Sequence, residues 1–420
     1  MSRSSELYSC SKALTPGGVS SPVRAFSPNP LFISRGQGSR IFDVDGKEYV
    51  DLCMAYGPLI AGHACPDVID AVKDAVALGT VYGAPSEPEL RLIEEITRRM
   101  PSCDMVRLAC SGTEATMHAI RLARGYTGKN GIVKMNGGFH GAHDAVLVAA
   151  GSGSARGVPG SAGVPADAVR NTYSVEYNDA GAFESLLDRN EDIAAVIMEP
   201  VMGNVGVVPP KKGYLEEMRR ITREHGVLLI FDEVITGMRL SEGGAQKLYG
   251  VTPDMTTMGK IIGGGFPAGA FGGRREIMEN VAPAGKVYAA GTFAGNPISA
   301  AAGYALLKHM DGRYDDLNRS TADLVSALRD HLEDSGIAGC IQCVGSMFSI
   351  GLGCGSISNG TEAQGVDRTV FSALFRHMLD QGIYLPPSAL EVEFMSSAHT
   401  QEDVGRIASA FESFLKKVKA

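Results

Sequence analysis

Residues 224–239 read EHGVLLIFDEVITGMR. The run Val227–Phe231 is wholly apolar, and two acids, Asp232 and Glu233, follow it at once. A short continuous apolar run, bounded by Gly226 on one side and charge on the other, predicts a strand buried on both faces of a parallel sheet. A carboxylate at the mouth of such a strand is costly to bury without a partner. What Asp232 is paired with is therefore the question on which a function turns. Successive strand residues point to opposite faces, so Glu233 is read as structural.

The same texture recurs on either side. GIVKM (131–135) and AAVIM (194–198) are further short apolar runs, and GYLEEMRRITREHG places Leu215, Met218 and Ile221 at helical spacing before the quoted strand. Strand, helix, strand with unbroken apolar strands predicts an α/β fold, a mainly parallel sheet covered by helices. DVIDAVKDAVAL and EPELRLIEEITRRM read as amphipathic helices, and GSRIFDVDGKEYVDL (38–52) as a hairpin turning at Asp45-Gly46. After about residue 305 the pattern shifts to helix, strand pair (CIQCVGSMFSIGLG), helix, helix. The expected organisation is an N-terminal segment (1–60) shared with a smaller α+β domain, a large domain (61–305), and the rest of the small domain (306–420). GSGSARGVPGSAGVP (151–165) has ten Gly, Ser or Pro among its fifteen residues. It is too long for a simple connector and is read as a lid or a loop without fixed structure.

Composition narrows the function. The chain has 420 residues, 44% hydrophobic and 20% charged, with a formal net charge of -8. Without a basic stripe, nucleic acid and acidic membrane surfaces are excluded as expected partners. No apolar stretch reaches the ~18 residues of a membrane span, and the start MSRSSELYSCSKAL lacks the shape of a signal peptide. Eight cysteines are scattered without a framework, which fits free thiols in a reducing, cytoplasmic setting. Cys340 and Cys343 form one C-x-x-C inside a strand-like stretch, with no second pair at zinc spacing, and are read as buried thiols. No metal site is expected.

Ligands of parallel sheets bind beyond the carboxyl ends of the strands. There the sequence offers Phe139 and His140 after the first run, Glu199 and Asn204 after the second, and Asp232 after the third. Ser111 and Glu114 have capping-box spacing, with Gly112 and Thr113 between them at a helix start. Alone this is an ordinary capped helix, but such a start also holds phosphate. Lys260 precedes a glycine run, yet Asp254 and Ile261 stand where a nucleotide-binding P-loop needs Gly and Ser/Thr. A lysine, a phosphate cradle, an aromatic platform and an acid at a strand end together suit pyridoxal phosphate. The lysine would hold the cofactor and the acid would pair with its ring nitrogen.

Seven blocks, in order, carry a resemblance to the fold-type I pyridoxal-phosphate enzymes of aminotransferase class III: GGVSSPVRAF (17–26), AYGPLIAGHACP (55–66), SGTEATMHAIRLARGYTG (111–128), EPVMGNVGVVPP (199–210), LIFDEVITGMR (229–239), GKIIGGGFPAGAFGGR (259–274) and GTFAGNP (291–297). The first block and the 151–165 loop resemble the aminomutases of that class. The resemblance implies Lys260 as Schiff-base lysine and general base, Asp232 as pyridinium partner, and Val234 under the ring. It implies Gly112 and Thr113 at the phosphate, Thr292 reaching the phosphate of a neighbouring subunit, and Phe139, His140, Asn204 and Glu199 around the ring. Ser21 and Arg24 would bind a substrate carboxylate, with Glu391 near the mouth. A homodimer with active sites at its subunit interface follows. The implied activity, on pyridoxal and pyridoxamine phosphate, is isomerisation of 4-amino-5-oxopentanoate to 5-aminolevulinate for tetrapyrrole synthesis, through a diaminovalerate. The alternatives are transamination of a β- or ω-amino acid and, outside enzymes, a binding or scaffold role. The chain departs from the family at Phe139 (usually Tyr), Cys110 (usually Asn), and Phe293 and Ala294 (usually Leu-Ser).

Overall fold

In the computed structural model, residues 2–148 and 161–419 are described. Most of the 151–165 stretch read as a lid lies outside the described residues. The chain divides into two units. The first comprises the described residues of Met1–Cys65, Asp316–Ser356 and Gly365–Ala420. The second comprises those of Pro66–Asp315 together with Ile357–Gln364. This corrects the expected boundaries: residues 61–65 belong with the N-terminal segment, 306–315 with the large unit, and 357–364 return to the large unit. The return has a local cause. Asn178 Nδ2 donates to the Ser358 carbonyl (2.8 Å) and Thr361 Oγ1 to Glu176 (2.6 Å), which tie the segment to a strand end.

The large unit is built on a seven-stranded sheet in the order Met105–Ala109, Gly269–Gly273, Met255–Gly259, Leu228–Asp232, Ile193–Met198, Gly131–Met135, Thr172–Val175. The pairs among the last five are parallel. Gly269–Gly273 runs antiparallel to both its neighbours. Five strands, Gly131–Met135, Ile193–Met198, Leu228–Asp232, Met255–Gly259 and Gly269–Gly273, are buried along their whole length, because helices cover both faces. The helix Tyr214–Glu224 buries Leu215, Met218 and Ile221, as the spacing predicts. The helix Gly112–Thr127 presents Ala115, Ala119 and Ala123 to the sheet, small residues that let it approach closely. Ala119, Ile120, Ile132, Ala195, Ile230 and Phe271 share one core beneath it. No helix among the described residues is long and apolar enough to cross a membrane.

In the small unit, Arg40–Asp43 and Glu48–Asp51 pair antiparallel across a turn in which Gly46 has φ +87°, the hairpin the Asp-Gly signal predicts. Ile383–Tyr384 adds a parallel partner to Glu48–Asp51. Gly339–Val344 and Met347–Leu352 form the second hairpin. The helices Arg3–Leu14, Tyr314–Ser335, Arg368–Asp380 and Gln401–Lys419 also belong to the unit, the second beginning just upstream of the boundary. The C-x-x-C thiols are half-buried rather than buried. Cys340 Sγ lies 4.0 Å from Cys354 Sγ, while Cys343 Sγ faces the Gly345 carbonyl.

Candidate active site

Asp232 ends its strand only 4% exposed. Its Oδ2 lies 2.7 Å from His140 Nδ1. Its Oδ1 accepts from Thr257 Oγ1 and from the Val234 N–H, both at 3.1 Å. The neighbouring strand thus supplies one donor, the following turn another, and a loop 92 residues earlier the third. An imidazole that donates from Nδ1 to a carboxylate turns Nε2 into its free position. His140 Nε2 is buried and has no hydrogen-bond partner among the described residues. A buried polar atom without a partner is costly and points to a ligand or a water.

The loop carrying His140 is held by three hydrogen bonds. Thr116 Oγ1 donates to the His140 carbonyl at 2.6 Å, from the helix Gly112–Thr127. The Phe139 N–H donates to Glu199 Oε1 at 3.0 Å, and the Ala142 N–H to Thr113 Oγ1 at 3.2 Å. Gly141 has φ +89°, and a Cβ there would stand 2.6 Å from Thr113 Cα, so no other residue fits. The Phe139 ring is 41% exposed. Glu199 Oε2 accepts from the Gly203 N–H (2.8 Å) and Asn204 Nδ2 (3.0 Å). Burial pushes the Glu199 carboxyl above its ordinary range, and the charge of Asp232 adds to that, while His140 and the N–H donors oppose it.

The start of the helix Gly112–Thr127 lies against the same cluster. Ser111 Oγ accepts from the Glu114 N–H (3.2 Å), and Glu114 Oε2 accepts from Cys110 N (2.9 Å), one residue earlier than a capping box requires. The Ala115 N–H is taken by the Ser111 carbonyl, which leaves Gly112 and Thr113 as the first-turn donors without a partner among the described residues. A Cβ on Gly112 would sit 3.0 Å from both Val234 methyls, and one on Gly259 would sit 3.3 Å from Val234 Cγ1 and 3.5 Å from Gly112. Val234, Gly112 and Gly259 therefore meet. Lys260 follows directly, half-buried, with φ +50°. A non-glycine residue in that region is uncommon, and such strain concentrates at functional sites.

Thr292 is exposed, on the turn before the helix Pro297–His309, with Phe293 59% exposed beside it. Ser21, Arg24 and Glu391 belong to the small unit. Arg24 is exposed at the end of the one-turn helix Pro22–Arg24, whose entry is fixed by Arg24 N–H donating to the Ser21 carbonyl at 3.1 Å. Glu391 is half-buried, its N–H bonded to the Ser388 carbonyl at 3.1 Å. Two features carried no signal in the sequence. The His140–Asp232 pair joins a loop to a strand end far away in the chain. Lys134, fully buried in its strand, donates to the Val148 carbonyl at 2.8 Å, and burial pushes it down to about 8.

A parallel α/β sheet whose strand ends gather a lysine, a paired acid and a helix start is the arrangement of a fold-type I enzyme. The chain belongs to the class III aminotransferases: that family's model, aminotransferase class-III, matches residues 23–414. It is similar to glutamate-1-semialdehyde 2,1-aminomutase of Methanobrevibacter smithii, 51% identical over 98% of each chain. Among solved structures it is similar to an ω-transaminase from Sphaerobacter thermophilus, with TM-score 0.93 and 34% identity over 100% of this chain and 98% of that one. It is also similar to a glutamate-1-semialdehyde aminomutase from Pseudomonas aeruginosa PAO1, with TM-score 0.89 and 28% identity over 99% of this chain and 94% of that one. A variant of the latter has been solved in complex with PMP.

Proposed function

We propose that this protein isomerises (S)-4-amino-5-oxopentanoate, glutamate-1-semialdehyde, to 5-aminolevulinate, using pyridoxal and pyridoxamine phosphate and serving tetrapyrrole synthesis. The chemistry rests on one observation: Asp232, buried and bonded to His140, stands in the same cluster as the strained turn of Lys260 and the open helix start. The substrate is inferred from the name shared by relatives about half identical over nearly the whole chain.

The residues fit the cofactor on their own chemistry. Gly112 and Thr113 offer N–H donors at a helix N-terminus, where the dipole favours a phosphate. Val234, Phe139, Asn204 and Glu199 would border the ring. Asp232 would hold positive charge at the ring nitrogen, with His140 and Thr257 fixing the carboxylate. When bound, the cofactor supplies an electron sink for the carbon that loses a proton. Lys260 would anchor it covalently and, when released, carry that proton on Nζ between the two carbons concerned. Arg24 would grip the substrate carboxylate through its two-pronged guanidinium, assisted by Ser21, with Glu391 at the mouth. The amino group moves within one substrate, so no second amine or oxo acid is consumed.

The reading extends to a homodimer in a reducing, cytoplasmic setting. Exposed Tyr288 (71%) and Phe293 (59%) flank Thr292 and would be covered by a second copy, whose phosphate Thr292 would reach. The test is to supply purified holoprotein with glutamate-1-semialdehyde alone. The expected result is stoichiometric 5-aminolevulinate. Product that forms only on adding an oxo acid or an amine donor would favour a transaminase, the reading that the likeness to the ω-transaminase supports.

A further inference from the structure

We propose that Tyr56 is a substrate-positioning residue: its hydroxyl, bound to the Val23 carbonyl, fixes the turn that presents Arg24 to the substrate carboxylate. The inference rests on the reading of Arg24 given above and deepens it.

Arg24 is exposed, and a long exposed side chain contributes little selectivity unless its backbone is held. The bonds inside its own turn are local: Arg24 N–H to the Ser21 carbonyl and Ala25 N–H to the Pro22 carbonyl, both 3.1 Å. Two ties come from distant parts of the small unit, one on each side of Arg24. Tyr56 Oη donates to the Val23 carbonyl at 2.6 Å, across 33 residues of chain. The Phe26 ring packs edge-on against Phe375 at 5.0 Å between centroids, and Phe375 packs against Tyr384 at 6.3 Å. The Phe26 contact is apolar. The Tyr56 bond is the directional one, and it grips the residue next to Arg24.

The backbone that aims Tyr56 is unusual. Met54, Ala55 and Tyr56 take φ values of +44°, +55° and +65°, and Gly57 follows at +116°. Three successive non-glycine residues in the left-handed region persist only where their surroundings dictate them. Those surroundings are on the strand before the turn. Asp51 Oδ1 accepts from the N–H groups of Cys53 (2.8 Å) and Met54 (3.0 Å), and its Oδ2 lies 2.7 Å from His63 Nε2. The Tyr56 N–H closes the turn onto the Cys53 carbonyl at 2.8 Å. Burial pushes the Tyr56 hydroxyl well above its ordinary range, with Cys53, Tyr384 and Glu391 nearby adding to it, so the group remains a donor throughout the working pH range. A proposed active-site acid thus shares Tyr56's electrostatic surroundings.

The test is Tyr56→Phe in the holoenzyme, which removes the hydroxyl and keeps the ring. The expected result is a KM for glutamate-1-semialdehyde raised roughly five- to tenfold, the size of one lost hydrogen bond, with kcat, cofactor affinity and melting temperature little changed. Reaction with 2-aminobutanal, which lacks the carboxylate, should be unaffected. In an Arg24→Ala background, Tyr56→Phe should add nothing. A KM rise that persists in that background, or is equal for both substrates, would overturn the inference and make Tyr56 merely structural. A parent that turns over beside an indistinguishable Tyr56→Phe variant would overturn this inference alone. A parent inactive on glutamate-1-semialdehyde would overturn the proposed function and this inference with it.

Discussion

Asp232 and Glu233 are neighbours in the chain, both acids and both buried, yet the fold treats them oppositely. Glu233 faces the turn that follows its strand and is filled by it. Oε2 accepts from Thr236 Oγ1 (2.9 Å) and the Ala245 N–H (2.6 Å), and Oε1 accepts from Gln246 Nε2 (2.9 Å) and, more distantly, the Gln246 N–H (3.3 Å). Gly244 lies so close that a Cβ there would stand 2.3 Å from Oε2. Burial pushes the Glu233 carboxyl up, and these four donors pull it back. On the other face, Asp232 leans on a histidine whose far nitrogen is unmatched among the described residues. The filled acid closes a loop. The acid at the end of an open relay is where an unmatched buried nitrogen points to a ligand or a water.

If that division is right, the side of Lys260 should carry activity without stability. Lys260→Ala removes the covalent anchor and the proton carrier, and turnover should fall by ~10⁴ or more while the melting temperature holds. Borohydride reduction of the holoprotein and peptide mapping should label Lys260. Labelling of buried Lys134 instead would break the assignment.

A third buried acid extends the contrast. Glu393, 1% exposed, has an Oε2 without a partner among the described residues, and burial pushes it up to about 8. Its folded-state pKa lies above the ordinary 4.5, so its contribution is complete below about pH 4.5 and is lost as pH rises through about 8. The parent should therefore lose on the order of 3–5 kcal/mol between pH 5 and 9 relative to Glu393→Gln, by denaturant unfolding at both values. Parallel pH profiles for the two proteins would show that Glu393 is already ionised in the fold.

Smaller effects separate binding from chemistry. Arg24→Ala should cost ~10²-fold in kcat/KM for glutamate-1-semialdehyde, the worth of a charge-assisted pair, and far less for 2-aminobutanal. Equal losses would make Arg24 structural. His140→Phe leaves Asp232 with Thr257 and Val234 alone, and kcat should fall roughly tenfold with folding intact. An unchanged kcat would mean that the relay through His140 is incidental.

What could be read from the sequence, and what could not, follows from range. Val227–Phe231 was legible because a strand buried on both faces is uniformly apolar, and Asp45-Gly46 because a turn is local. Gly269–Gly273 was not: three glycines in five residues carry no periodicity. The reason they are glycines is spatial, since a Cβ at Gly269 would stand 2.1 Å from the Ser111 carbonyl and one at Gly272 2.7 Å from Cys103 Sγ. The return of Ile357–Gln364 to the large unit depends on Asn178 and Glu176, far off in the chain. At the candidate site, residue identities were visible through motif blocks. The joining of His140 to Asp232, the partners of Glu233 and the left-handed run at Met54–Tyr56 needed coordinates, because each depends on contacts or dihedral angles that no residue pattern encodes.

The division between the two adjacent acids is tested most directly by comparing Asp232→Asn and Glu233→Gln side by side, each measured for turnover of glutamate-1-semialdehyde and for thermal unfolding. Asparagine cannot balance a ring cation, so Asp232→Asn should lose ~10³-fold or more in kcat and melt near the parent temperature. Glu233→Gln places an amide against N–H donors, so it should lose roughly 2–4 kcal/mol of stability and keep most of its kcat where folded. An Asp232→Asn variant that retains most of the parent rate, or a Glu233→Gln variant that is stable but inactive, would contradict the account.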